Sequence, residues 1–256
     1  MKKIPNIFTL LNLIFGCCAI VFALQTESII IQQADDSSTS FSVPERLYFA
    51  AICIAIAAII DFLDGFLARL LNATGDMGKQ LDSLSDIVSF GVAPAVILFQ
   101  FLRLSYMRQE NGIEINIAWL LPAFLFACAG AYRLARFNID TTQTYGFKGV
   151  PIPAAGLVVA SLPLIAFYNY YGGAVNALIF NKWFLYALIA LLSWLMISTL
   201  PIMGLKFKDY SFQNNKPKLL LLVVTIIAAV LLKWMAVPLV FIAYIIISLA
   251  LKNKTT

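Results

Sequence analysis

The chain has 256 residues, 61% of them hydrophobic and 12% charged, with a net charge of +5 and no histidine. An ordinary soluble domain carries about 25% charged residues, so there is too little charge to cover a water-facing surface, and a cytosolic globule is excluded. A mean hydropathy of +0.88 predicts an all-α polytopic membrane protein whose chemistry sits among its helices.

A helix needs about 20 apolar residues to cross a bilayer, and about eight spans are expected, near 8–25, 47–71, 82–104, 117–137, 153–171, 182–200, 218–234 and 236–251. Met1-Lys2-Lys3 followed by Ile4 to Leu24 imitates a secretory leader. No small-x-small cleavage site interrupts Cys17 to Gln25, so this stretch is expected to be a retained first helix. Residues 26–46, which include Asp35-Asp36-Ser37-Ser38-Thr39-Ser40, are polar and serine-rich and are expected to form a flexible loop. A tight turn at Pro238 is expected to divide the last two spans, and no tandem or mirrored repeat is evident. Residues 1–256 are therefore a single transmembrane domain, with 201–256 as a C-terminal helical extension. Cys17, Cys18, Cys53 and Cys128 fall in apolar runs without zinc or disulfide spacing and are expected to be buried free thiols.

Under this layout Lys2, Lys3, Arg69, Lys79, Arg133, Arg136, Lys148, Lys206, Lys208, Lys216, Lys218, Lys252 and Lys254 share the side of the N-terminus. That is thirteen of the eighteen Lys and Arg residues. The positive-inside rule then makes both termini cytoplasmic. No basic tract resembles a nucleic-acid patch, so the excess charge is expected to face anionic lipid.

Four of the thirteen acids stand out. Asp61 and Asp64 end the second span, and Asp82 and Asp86 open the third. A charge inside a bilayer costs a few kcal/mol (roughly 3) even on the lenient insertion scale, so four of one sign need water or cations around them. Spacings of i,i+3 and i,i+4 put each pair on one helix face, and the short connection at Leu70 to Leu81 makes the two helices antiparallel neighbours. Such carboxylates suit hard divalent cations and a two-metal clamp on a phosphoryl group. Gly65, Ala68 and Gly78 leave the backbone open to a flat ligand, and Arg69 can fork onto phosphate. Taken singly, these residues read more readily as helix-packing glycines and a snorkelling arginine; together on two adjacent turns they read as a site. With no histidine, a carboxylate is also the expected base. Intramembrane acids equally mark cation or proton pathways, but there they scatter along a crossing route, and here they cluster at one depth.

Residues 61–86 read Asp-x2-Asp-Gly-x2-Ala-Arg-x8-Gly-x3-Asp-x3-Asp, which resembles the signature of the CDP-alcohol phosphotransferase family at all eight fixed positions. The resemblance implies a six-helix core, a cytoplasm-facing site, two divalent cations (Mg²⁺ or Mn²⁺) and a homodimer. It further implies that Asp61, Asp64, Asp82 and Asp86 hold the metals and that Asp86 is also the base. Gly65, Ala68 and Gly78 would line the cytidine pocket, with Arg69 on nucleotide or phosphate.

Ser89-Phe90-Gly91-Val92-Ala93-Pro94-Ala95, Arg133-Leu134-Ala135-Arg136-Phe137-Asn138 and Phe147-Lys148-Gly149-Val150-Pro151-Ile152-Pro153-Ala154-Ala155 resemble the membrane-embedded subfamily whose acceptor is serine, as does the opening Pro5-Asn6-Ile7-Phe8-Thr9-Leu10-Leu11-Asn12. The implied reaction takes the phosphatidyl group of CDP-diacylglycerol to L-serine, giving phosphatidylserine and CMP by direct displacement, in what is expected to be a bacterial cell membrane. Arg133, Arg136, Asn138 and Lys148 could hold the serine carboxylate. They could equally hold the phosphate of glycerol phosphate or inositol phosphate, or mark the inner edge of a helix. Asn6 and Thr9 could contact the donor phosphates or cap the first helix.

Overall fold

The computed structural model describes residues 4–25, 32–33, 39–40, 45–71, 75–108, 115–140, 146–168, 173–204 and 212–252. The expected loop at 26–46 lies outside them except for two short strands and the start of a helix.

Helix α1 (Ile4–Leu24) turns Pro5, Thr9, Asn12, Gly16, Ala19 and Ala23 inward. This stripe is narrow and mostly small. It lets α2 (Glu45–Leu70) pack closely along its length, as small residues do between membrane helices. The inward stripe of α2 runs through Leu47, Ala50, Ile54 and Ala57 and then, at the same spacing, reaches Asp61 and buried Asp64. The face that packs the bundle therefore becomes ionisable at one end. Between α1 and α2 lie two-residue strands β1 (Gln32–Gln33) and β2 (Thr39–Ser40), paired antiparallel.

The expected third span is longer than its apolar core. Helix α3 (Asp76–Asp86) passes through a π-helical segment at Ile87–Val92 into α4 (Ala93–Met107), a run of 32 residues. At 1.5 Å per residue it spans about 48 Å, well beyond a hydrocarbon core of about 30 Å, so α3 starts outside the apolar zone. The π segment has a local cause. Pro94 has no N–H to give the Phe90 carbonyl and would crowd it in an α-turn, and the ladder widens so that Ala93 N–H donates to Val88 O. Gly156 lies against that carbonyl, where a Cβ would stand 2.9 Å from Phe90 O. This run is the core of the bundle, with Phe90, Ile97, Leu98, Phe101 and Leu102 fully buried against α1, α5, α6 and α8.

Two 3₁₀ turns, Ile117–Trp119 and Leu121–Phe124, lead into α5 (Leu125–Ile139). Strand β3 (Gly146–Lys148) precedes α6 (Ile152–Tyr168). Helices α7 (Gly173–Ile179) and α8 (Lys182–Ile197) meet at 62°. Strand β4 (Pro201–Met203) pairs antiparallel with β3. Gly149, at φ 80°, turns the chain after β3 where a Cβ would stand 2.7 Å from Ser198 O. Helices α9 (Phe212–Leu232) and α10 (Ala236–Lys252) pack on each other.

Among the described residues, Pro5–Leu24, Arg46–Leu70, Asp76–Met107, Ile117–Ile139 and Lys218–Ala250 are long and apolar enough to cross a membrane, and the bent α7–α8 pair makes a sixth candidate. The protein is all-α and multi-pass. Helix α6, an expected span, has 17 residues. The last stretch breaks at Lys233–Met235, where Lys233 takes φ 44°, and not at Pro238. Pro238 sits in the first turn of α10, where a missing N–H costs no intrahelical bond. The cysteines also differ from expectation: only Cys53 is buried, Cys18 is half-buried, and Cys17 and Cys128 are exposed. Apolar context in a membrane helix covers outward faces as well as inward ones.

Candidate functional site

The ionisable ends of α2 and α3 meet beside the start of α1. Asp61, Asp64 and Asp82 each offer a carboxylate oxygen, and the three lie within 4.8 Å of one another. Asp86, one turn along α3 from Asp82 and buried, is within hydrogen-bonding reach of Asp61. Asp64 Oδ2 and Asp86 Oδ1 are buried without a hydrogen-bond partner. Two like charges about 4 Å apart repel by about 4 kcal/mol at an effective dielectric of 20. The donor set is therefore all hard oxygen, crowded and partly unsatisfied, which fits a divalent cation.

Helix α1 is locked to this pair by its backbone. Ser85 Oγ donates to Thr9 O at 2.7 Å, and Ser89 Oγ donates to Asn12 O at 3.0 Å. Gly16 makes the approach possible, since a Cβ there would stand 2.8 Å from Ser89 Cα. Thr9 Oγ1 is thereby placed 3.2 Å from Pro5 O and within reach of the Asp64 carboxylate.

Above the aspartates opens a cavity of about 550 Å³. It is lined by Asn6, Thr9, Gly65, Ala68, Arg69 and Gly78, the six residues expected to meet the donor, together with Asp64 and Asp82. The packing explanation for Gly65 does not hold here. A Cβ on Gly65 would meet nothing within 4 Å, and one on Gly78 would meet only Asn6 Oδ1, at 3.4 Å. Gly65 faces open space, and Gly78 faces only the Asn6 side chain. Pro5, Gly75, Asp76 and Lys79 also line the cavity and were not singled out as site residues from the sequence. A signal existed for two of them: Gly75 and Lys79 continue the Gly78–Asp82–Asp86 stripe at helical spacing.

The four residues expected to hold serine lie elsewhere, Arg133, Arg136 and Asn138 on the last turns of α5 and Lys148 at the end of β3. Arg133 is buried and in electrostatic contact with Asp86. The Arg136 guanidinium donates to the carbonyls of Ile197 (2.6 Å), Lys148 (3.0 Å) and Ser198 (2.9 Å), which ties α5 to β3 and the end of α8. Lys148 pairs with Asp140 at 2.8 Å. Asn138 Nδ2 donates to Ser83 Oγ at 2.9 Å, and Lys79 Nζ donates to Asn138 O at 3.3 Å, joining α5 to α3. Of the four, Arg133 is the one placed against the aspartates, and none of them lines the cavity.

A family model described as CDP-alcohol phosphatidyltransferase matches residues 2–199. A protein of Helicobacter pylori strain 26695 named CDP-diacylglycerol–serine O-phosphatidyltransferase is 31% identical over 232 residues, covering 90% of this chain and 81% of its own. A Bacillus subtilis protein of the same name is 33% identical over 162 residues, 63% of this chain and 76% of its own. A Methanothermobacter thermautotrophicus protein named archaetidylserine synthase is 34% identical over 134 residues, 52% of this chain and 53% of its own.

Proposed function

The chain belongs to the CDP-alcohol phosphatidyltransferase family, and from that membership we propose that it transfers the phosphatidyl group of CDP-diacylglycerol to the hydroxyl of L-serine, forming phosphatidylserine and CMP. The observation that carries this reading is the convergence of three aspartate oxygens within 4.8 Å, two of them, from Asp64 and Asp82, lining a cavity in which Gly65 faces open space. The names of the relatives point to serine as the acceptor.

The cytidine lies against Gly65, Ala68 and Gly78, where no side chain obstructs a flat base. Arg69 takes nucleotide phosphate by paired N–H donors, and Asn6 and Thr9 contact the donor phosphates from α1. Asp61, Asp64, Asp82 and Asp86 hold divalent cations, Mg²⁺ or Mn²⁺, which when bound supply charge neutralisation at the pyrophosphate. The serine oxygen bonds to the phosphorus that carries diacylglycerol, the bond from that phosphorus to CMP breaks, and Asp86 takes the hydroxyl proton. A carboxylate with an ordinary pKa of about 4 is a weak base, so positioning does most of this work. Arg133, beside Asp86, holds the serine carboxylate. Arg136, Asn138 and Lys148 complete that side through the ties that fix α5, β3 and α8.

The same reading places eight spans in a bacterial cell membrane as a homodimer, with both termini and the site on the cytoplasmic side, where the basic residues concentrate. The test supplies labelled serine, glycerol phosphate or inositol phosphate separately with CDP-diacylglycerol and identifies the lipid formed. Labelled phosphatidylserine is expected. A product made only from another alcohol refutes the assignment of the acceptor.

A further inference from the structure

We propose that Tyr244, on α10, is a positioning residue for the acceptor alcohol, so that residues beyond the family match build one wall of the acceptor site. The inference rests on the phosphatidyl-transfer reading above. The family match ends at residue 199, and no motif in 201–256 marks a site.

Helix α10 nevertheless holds the acceptor side in two ways. Tyr244 is buried, and its hydroxyl donates to Met203 O at 2.8 Å. Ser248, one turn on and also buried, accepts from Met203 N at 3.2 Å and donates back to Tyr244 O at 2.7 Å. A single turn of α10 thus grips both backbone groups of Met203. Met203 ends β4, whose pairing sets Met203 opposite Gly146 and Pro201 opposite Lys148. The Lys148 carbonyl in turn receives Arg136. The tether runs from α10 through β4 and β3 to the cationic end of α5.

The second hold is electrostatic. Buried Arg133 lies within electrostatic reach of both Asp86 and Tyr244. A buried guanidinium needs paired or hydrogen-bonding neighbours to offset its desolvation. Asp86 and Tyr244 are two groups whose charge or dipole that guanidinium feels. A planar fork held beside the base recognises a carboxylate, so the acceptor class it selects is an alcohol that carries one.

The experiment uses full-length protein in nanodiscs and varies each substrate separately. Tyr244→Phe deletes only the hydroxyl. The KM for serine is expected to rise about tenfold, equivalent to one lost hydrogen bond, while the KM for CDP-diacylglycerol stays within about twofold. An unchanged serine KM, or equal rises in both, overturns the proposal. If Tyr244→Phe does not yield folded protein, Ser248→Ala, which removes the acceptor for Met203 N and the donor to Tyr244 O, is judged by the same two constants. Wild-type protein that turns over glycerol phosphate or inositol phosphate in place of serine refutes the serine reading and the selection of a carboxylate by Arg133. The Tyr244 proposal is then judged on the KM of the alcohol used.

Discussion

Replacing Gly65 with alanine separates the two meanings a glycine in a membrane helix can have. A Cβ at this position meets no atom within 4 Å, so the substitution creates no clash in the protein itself. In a helix interior alanine is favoured over glycine by about 1 kcal/mol, and thermal stability should hold or rise slightly. The added methyl projects into the cavity of about 550 Å³, where the nucleotide is proposed to lie. Crowding a fitted surface by one methyl costs about 1–3 kcal/mol, or a rise of roughly 5- to 150-fold in the KM for CDP-diacylglycerol. The assay pairs thermal unfolding in detergent with initial rates at varied CDP-diacylglycerol. A Gly65→Ala protein with unaltered KM and kcat refutes the placement of the nucleotide. A fall in stability refutes the claim that the space beside Gly65 is open.

Gly16→Ala should do the reverse: its Cβ collides with Ser89, and overpacking of this kind costs about 1–3 kcal/mol, visible as a lower Tm. Asp86→Asn should lower kcat by at least about 100-fold, the lower bound for general-base removal, while CDP-diacylglycerol still binds in a direct binding assay; retained turnover removes Asp86 as base. Chelation with EDTA should abolish activity, with Mg²⁺ or Mn²⁺ restoring it; turnover that persists after exhaustive chelation rejects the aspartates as a metal centre.

The aspartate site was legible because charge in an apolar run is conspicuous and because helical spacing assigns it to a face. Asp61 and Asp64 follow Ile54 and Ala57 in register, so the core stripe of α2 alone predicts where they point. The wiring of the α5 end was not legible. Arg136 reaches the carbonyls of Ile197 and Ser198, and a bond to a distant backbone oxygen leaves no mark on the residue that accepts it. Tyr244 and Ser248 grip Met203 through its peptide groups, so 201–256 shows no motif although it shapes the site. The break at Lys233 and the outward faces of Cys17 and Cys128 escaped for a related reason: apolar sequence fixes membrane depth but not which side of a helix meets protein.

The widened turn at Ile87–Val92 separates two requirements within one continuous rod. Each α-helical residue advances the azimuth by about 100°, so the carboxylates of α3 and the aromatic ridge of α4 could not both keep their bearings across an unbroken ladder of the same length. The extra residue acts as a phase shifter between a reactive half and an anchoring half. Forcing α-helical turns there without removing a residue would leave hydropathy and helix content intact, yet it would swing Asp82 and Asp86 by about 100° away from Asp61 and Asp64, whereas removing one residue along with the widened turn would keep their bearing. In this rod, residue count matters as much as residue identity.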